Sequence, residues 1–200
     1  MSAQRSVHFY LNWAKERLDE MDAALASLES NLAQLRSEYR AKASQLIADL
    51  RRRRDEFNDN MKRHAEASEQ KWDSVKGELE KNWADFEADV KKYLETFGKD
   101  VEQQRALFQG QVAAQIKVWR ETADNIHAVA MQFATDRQRD IDAAATRMRS
   151  DAAAAEERLQ KLARAGTESW SALNAALAET RAVFDRANQA AREAFKRAAT

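Results

Sequence analysis

Apolar side chains recur every eleven positions in the stretch from Trp72 to Trp119, which reads WDSVKGELEKNWADFEADVKKYLETFGKDVEQQRALFQGQVAAQIKVW. The same spacing continues outward to Leu46 and Ala145. The three rows that it forms include Leu50, Met61, Trp72, Trp83 and Leu94; Val75, Phe86, Phe97, Phe108 and Trp119; and Leu46, Phe57, Ser68, Leu79, Val90, Val101 and Val112. Eleven residues make about three helical turns, so a helix keeps these rows on one face, whereas a strand would scatter them. The stretch therefore predicts long amphipathic helices.

A heptad pattern precedes this stretch and predicts a coiled coil over residues 6–50. One seam contains Leu11, Leu18, Leu25, Leu32, Tyr39 and Leu46, and the other contains Ala14, Met21, Leu28 and Leu35. Leucine-rich heptads in continuous register are typical of a left-handed supercoil, which should relax once the period lengthens to eleven.

The composition also favours helices. The 200 residues contain no proline, no cysteine and four glycines, whereas sheet-rich folds need many turn residues. We predict an all-α chain forming a single elongated helical domain over residues 1–200. Its parts are the heptad coiled coil 6–50, an aromatic-rich segment of eleven-residue repeats at 51–140, and an alanine-rich helix at 141–200.

The chain should fold back on itself, because one 200-residue helix would be about 300 Å long. Local chemistry favours a turn at Phe97-Gly98-Lys99-Asp100, where Gly98 can end one helix and Asp100 can begin the next. This turn predicts an antiparallel coiled-coil hairpin and would bring Arg51–Arg54 near the aspartates at 136, 140, 142 and 151.

Other arrangements remain open. Leu94, Phe97, Val101 and Phe108 stay in phase through Gly98, which argues against a turn there. Turns near 58–60 and 135–140 would give a three-helix bundle instead, and Gly166 is a further candidate. Register across 58–60 favours a continuous helix at that point. Helices unbroken at all of these positions, paired between chains, are the third arrangement.

Two sets of residues are candidates for contacts. We predict helix–helix interfaces at Leu11, Leu18, Leu25, Leu32, Leu46, Trp72, Trp83, Phe86, Val90, Phe97, Val101, Phe108, Trp119, Leu162, Leu173 and Phe184. The run Arg51, Arg52, Arg53, Arg54 could contact an anionic partner, but a solvated band neutralised by neighbouring acids is the favoured interpretation.

Charge and motifs argue against several functional classes. The 33 basic and 33 acidic residues balance, which argues against a nucleic-acid partner. His127 has neighbouring acids but lacks the paired Glu-x-x-His pattern of di-iron bundles, and no phosphate loop or nucleophile motif occurs. We expect no catalytic residues, no metal, no cofactor and no small-molecule substrate. The absence of an apolar run suited to a signal peptide or membrane span favours a cytoplasmic location.

Parts of the sequence resemble known helical families. Residues 71–97, KWDSVKGELEKNWADFEADVKKYLETF, with Trp72 and Trp83 eleven apart, resemble the cyanobacterial and proteobacterial coiled-coil stress-response family, as does the opening YLNWAKERLDEMDAALASL at 10–28. This resemblance implies a cytoplasmic helical protein linked to stress. The end, WSALNAALAETRAVFDRANQAAREAFKRAA at 170–199, is similar to phasins, which coat polyester granules.

Two functions follow as expectations. The first is a non-enzymatic structural or interaction protein, a scaffold that forms homo-oligomers through its helical seams. The second is an amphipathic-helix protein that coats a lipid or granule surface, as apolipoprotein-type eleven-residue repeats do.

Overall fold

The computed structural model describes residues 8–66 and 69–200, with the backbone alone at residues 69 and 70. These residues form six helices: α1 (Phe9–Leu32), α2 (Ser37–Arg63), α3 (Glu69–Phe97), α4 (Val101–Ala130), α5 (Thr135–Ala165) and α6 (Trp170–Ala199). No strand occurs within the described ranges, so the all-α prediction is confirmed there. The start of the heptad segment at residue 6, and Ser68 in the third row, lie outside the described residues.

Local chemistry sets several helix ends. The Asp100 carboxylate accepts a hydrogen bond from the Glu102 N–H at 3.0 Å and begins α4. Ser169 accepts from the Ala172 N–H at 3.3 Å and begins α6. Gly166 follows the end of α5 with φ of 68°, a left-handed conformation that glycine adopts without steric cost.

The predicted segments are corrected by these boundaries. The heptad segment 6–50 is divided between α1 and α2, the alanine-rich segment 141–200 between α5 and α6, and the segment 51–140 among α2–α5. At the three- and four-residue connections the seams keep their phase, because such a connection is close to one helical turn. Periodicity therefore could not show where the chain turns.

The candidate turns had different outcomes. The Gly98 turn is present between α3 and α4, and another turn begins at Gly166. Continuity through residues 58–60 is confirmed because α2 runs to Arg63. A turn within 135–140 is wrong, because α5 already begins at Thr135 and the chain turns before it.

The helices form two units of three. In the N-unit (α1–α3), α2 runs antiparallel to α1 and α3, and Arg54 pairs with Asp22 while Arg53 pairs with Asp89. Its core includes Met21, Leu28, Leu50, Phe57, Leu79, Phe86 and Tyr93. In the C-unit (α4–α6), the core includes Phe108, Trp119, Ile126, Ile141, Met148, Leu159, Leu177 and Phe184. Each unit thus has its own apolar interior.

The two units repeat one pattern. Four pairs share one constant spacing along the chain: Trp72 and Trp170, Leu79 and Leu177, Phe86 and Phe184, and Phe97 and Phe195. At the same spacing, the turn at Gln34-Leu35 corresponds to the turn at Gln132-Phe133. We infer that the chain is a tandem repeat of one three-helix unit.

Corresponding helices α1 and α4 pack antiparallel at the centre of the molecule. Lys15 lies 3.4 Å from Glu121 far along α4, while Ala23 lies beside Gly110 near the start of α4. The helices that correspond to each other in the two units thus meet in opposite directions at the centre of the molecule. α1 contacts α2, α3, α4 and α6, so most of its sides are enclosed.

Candidate functional site

A cleft runs between α3 and α6 above α1. Trp83 and Arg181, which occupy corresponding positions in the two units, close its centre with the guanidinium carbon 4.9 Å from the indole centroid. On either side the cleft opens into a groove. The first groove has a volume of about 500 Å³ and is lined by Phe9, Tyr10, Trp13, Lys76, Asp185 and Asn188, among others.

The second groove occupies the corresponding place at the other end of the cleft. Its volume is about 680 Å³, and its lining includes Glu87, Lys91, Leu94, Gln104, Trp170 and Asn174. Glu87 corresponds to Asp185 of the first groove, and Asn174 corresponds to Lys76. Each groove therefore has one carboxylate at its inner end.

Six charged side chains meet beneath the cleft and join α1, α3 and α6. We call them the buried charge cluster: Glu16, Arg17, Glu20, Glu87, Arg181 and Asp185. Arg17 donates two hydrogen bonds of 2.8 Å to the Asp185 carboxylate and one of 2.7 Å to Glu16. A bidentate contact between guanidinium and carboxylate is among the strongest polar contacts in proteins.

Arg181 makes the second half of the cluster. Its Nη1 donates to Glu87 at 2.8 Å, and its Nε lies 3.3 Å from Glu20 Oε1. Gln115 of α4 also donates to Glu20, at 2.7 Å, so the cluster reaches both units. Arg17 lies over the Trp13 ring at 4.7 Å, as Arg181 lies over Trp83. The flat guanidinium groups thus bind carboxylates at their edges and aromatic rings on their faces.

Four carboxyl groups face two guanidinium groups in this cluster; Glu16 and Glu20 are buried, whereas Glu87 and Asp185 are partly exposed. Burial raises the pKa of Glu20 well above its ordinary value; Arg181 opposes this shift, and nearby Glu16 adds to it. Burial also raises the pKa of Glu87, again against the attraction of Arg181. Burial alone would lower the pKa of Arg17, but Glu16 and Asp185 outweigh it and raise that pKa. The neutral form of Glu20 is therefore easier to reach in this cluster than in water.

Some polar atoms of the cluster have no hydrogen-bond partner. These atoms are Glu16 Oε1, Arg17 Nε, Glu20 Oε2, and Nε and Nη2 of Arg181. Each leaves part of its desolvation cost uncompensated, typically about 1–3 kcal/mol. This cluster is consequently a less favourable part of the contact between the units than an apolar contact of the same size would be.

Substitution of Glu20 by Gln is expected to change the pH dependence of stability. Folded Glu20 holds its proton to a higher pH than unfolded Glu20, whose pKa has the ordinary value of 4.5. The free energy of unfolding of the wild type should therefore fall as pH rises above that value, and Glu20→Gln should remove this contribution. Urea unfolding of both proteins from about pH 5 to about pH 8 measures the difference. If the free energies of unfolding of the two proteins changed with pH in the same way, the raised pKa of Glu20 would be contradicted.

Most residues predicted at helix interfaces lie within the chain's own interior. Leu18, Leu25, Trp72, Trp83, Phe86, Val90, Phe108, Trp119, Leu173 and Phe184 are buried, while Leu11, Leu32, Leu46, Phe97 and Leu162 are partly buried against the cores. Val101 is 51% exposed, so it lies outside the helix interfaces within the chain. Val101 lies in the first turn of α4, where the row of apolar residues continues past the end of α3.

The arginine run is engaged by neighbouring acids. Arg51 pairs with Glu29, Arg52 with Asp49 and Glu56, Arg53 with Asp85 and Asp89, and Arg54 with Asp22 and Asp55. The expectation that these arginines meet the aspartates at 136–151 is wrong, because α2 packs on α1 and α3 and not on α5.

The remaining candidates lie on surfaces. His127 is near Asp142, with Nδ1 to Oδ1 at 2.8 Å, on an exposed side of α4. Among the residues that the structure describes, no group of three metal-binding side chains occurs. Within the same part of the chain, no helix is long and apolar enough to cross a membrane.

Sequence reasoning missed the buried charge cluster. Glu16, Arg17 and Glu20 fall outside the heptad seams of α1 and read as solvent-facing residues. They are buried because α1 has neighbours on the sides that a two-helix coil would leave in water. Trp13, a large ring also outside both seams, is the signal that could have indicated this second buried face.

Comparisons with known proteins do not identify a relative: no family model, curated protein or solved structure matches this chain. The two family resemblances accordingly stay predictions.

Proposed function

We propose that this chain is a non-enzymatic structural and interaction protein, a helical scaffold that associates with further copies of itself. The observation that carries the proposal is the tandem repeat. Each unit presents α1 and α3, or α4 and α6, to the equivalent helices of the other unit. Such a self-complementary surface fits a unit from another chain as well as one from the same chain.

The chemistry of the cleft supports a structural role. A catalytic site needs polar groups that converge on a place where a substrate can bind. Arg17 and Arg181 instead point at carboxylates of this chain, and each also packs on a tryptophan. Buried ionic groups in this arrangement favour one geometry between packed helices over others.

Light scattering tests the self-association. One chain has a mass of 22.8 kDa, and we expect the measured mass to rise toward twice that value as concentration increases. A measured mass equal to that of a single chain at every concentration would contradict the proposed function.

A second candidate function is a coat on a lipid or polyester surface. It is favoured by the presence of two apolar cores, with buried charged side chains among the contacts where the two units meet. Opening between or within the units would turn amphipathic helices toward an apolar surface. The balanced charge favours an uncharged surface over an anionic bilayer.

Flotation with neutral lipid vesicles and oil droplets distinguishes the two candidates. For a scaffold, the helical protein should remain in the aqueous fraction with an unchanged thermal transition. A coat protein should float with the droplets and lose its cooperative transition. A link to stress and a cytoplasmic location are proposed from the resemblance and composition; imaging the tagged protein in stressed and unstressed cells would test both.

A further inference from the structure

We propose that copies of this chain associate by exchanging units through the connector Gly98-Lys99-Asp100. In the exchanged form α3 and α4 join into one helix, and the N-unit of each chain packs on the C-unit of the other. The inference rests on the proposed self-association and names the surface and the partner, a second copy of this chain.

The connector joins the two units by a short turn. The Gly98 N–H donates to the Leu94 carbonyl at 2.9 Å, and Gln104 Nε2 donates to the Gly98 carbonyl at 2.7 Å. Asp100 caps α4 immediately after it. Because a helix can run straight through so few residues, the turn and the continuous helix compete directly.

Gly98 favours the turn for a steric reason. A Cβ atom added at Gly98 would lie 2.9 Å from the Leu94 Cα and 2.5 Å from the Leu94 Cδ2. Both distances are shorter than ordinary carbon contacts, so a larger residue must disturb the turn. In a continuous helix, by contrast, alanine is more favourable than glycine. A side chain at this position therefore acts against the turn and for the straight helix.

The apolar pattern through the connector matches the straight helix. Leu94, Phe97 and Val101 are spaced by three and four residues, which places them on one helical face. In the turned form this continuity is broken, and Val101 is left 51% exposed. Straightening would place Val101 one turn beyond Phe97, where the two side chains can pack.

Exchange preserves the contacts between units. Arg17 with Asp185, Glu20 with Arg181, and Lys15 with Glu121 would each form between chains instead of within one chain. The free energies of the single chain and of the exchanged dimer then differ mainly through the connector and the entropy of association. A small change in the connector should consequently shift the balance between one chain and two.

Gly98→Ala tests the connector, with Gly77→Ala as the matched control. Gly77 lies within α3, the helix that Gly98 follows, and an added Cβ there meets no atom within 4 Å. We expect Gly98→Ala to lower the dimer dissociation constant at least about tenfold, since each of two connectors gains helix propensity and loses the turn. Gly77→Ala should leave it within about threefold. Equal dimerisation of the two variants in sedimentation equilibrium would overturn the proposal.

Lengthening the connector should act in the opposite direction. Insertion of Gly-Ser-Gly after Lys99 relieves the turn and interrupts the straight helix, and we expect a weaker dimer. This variant also covers the case in which Gly98→Ala folds poorly, because a longer connector should not disturb the packing of either core. A dimer unchanged by the insertion would contradict the exchange.

Cross-linking distinguishes exchange from association side by side. The chain has no cysteine, so Lys15→Cys and Glu121→Cys can be made in separate chains, at partly exposed positions that face each other between α1 and α4. After unfolding and refolding together, a short thiol cross-linker should join the two chains only if their units have exchanged. A dimer without this cross-link overturns the exchange but leaves the proposed function intact. Single chains for the wild type and Gly98→Ala alike would overturn both.

Discussion

Substitution of Arg181 by alanine is expected to lower the free energy of unfolding by about 3–5 kcal/mol, because it leaves buried carboxyl groups without their counter-charge. Arg181 is 5% exposed and contacts Glu20, which is fully buried, and Glu87. The change also removes a guanidinium from the face of Trp83. Burial of an unpaired charge accounts for most of the expected loss, since the intact pair itself adds little net stability.

Urea unfolding followed by circular dichroism measures this loss, and Arg158→Ala is the control. Arg158 pairs with Glu179, and both side chains are mostly in water at 61% and 59% exposure. Such a pair contributes about 0–1 kcal/mol. The prediction fails if the two alanine variants unfold at the same urea concentration. Loss of Arg181 should also raise Trp83 solvent exposure, which acrylamide quenching can detect.

Substitution of Phe184 by alanine is expected to destabilise the protein by about 3–5 kcal/mol. Phe184 is 1% exposed and packs edge to face on Trp119, with ring centroids 5.5 Å apart. Removing the ring leaves a cavity in the core of the C-unit and also removes the aromatic contact. Its counterpart Phe86, 1% exposed in the N-unit, should respond similarly.

Thermal and urea unfolding of Phe184→Ala, Phe86→Ala and Met131→Ala provide the comparison. Met131 is 63% exposed, so its truncation should change the free energy of unfolding by less than about 0.5 kcal/mol. A Phe184 variant as stable as the Met131 variant would show that the C-unit core is not packed as described. A large effect of Phe184→Ala with none for Phe86→Ala would contradict the equivalence of the units.

The apolar rows were predictable because helix periodicity is a local property of the chain. Trp72, Phe86 and Trp119 could be assigned to buried faces from spacing alone, and the structure buries all three. Helical composition and the absence of proline pointed the same way. The cap at Asp100 could also be expected, because it depends only on the Asp100 carboxylate and on the backbone N–H groups of the helical turn that follows.

The turns were only partly predictable. A helix break of three or four residues leaves the apolar phase nearly unchanged, so the turns at 33–36 and 131–134 have little signature in the pattern. The tandem repeat was also hidden, because the dominant eleven-residue period makes each helix resemble the others. It becomes apparent once Trp72 and Trp170 are seen at equivalent places in two units.

The amino-acid sequence by itself determined that this protein is helical and which side of each helix is apolar, because both depend on neighbours within a few turns. Only the tertiary structure decided what those faces meet. It divides six helices into two equivalent units, and it encloses α1 so that Glu20 and Arg17 lie in the interior. The enclosure of α1 depends on contacts between residues far apart in the chain, such as Arg17 and Asp185 at 168 positions, and no local pattern records such contacts.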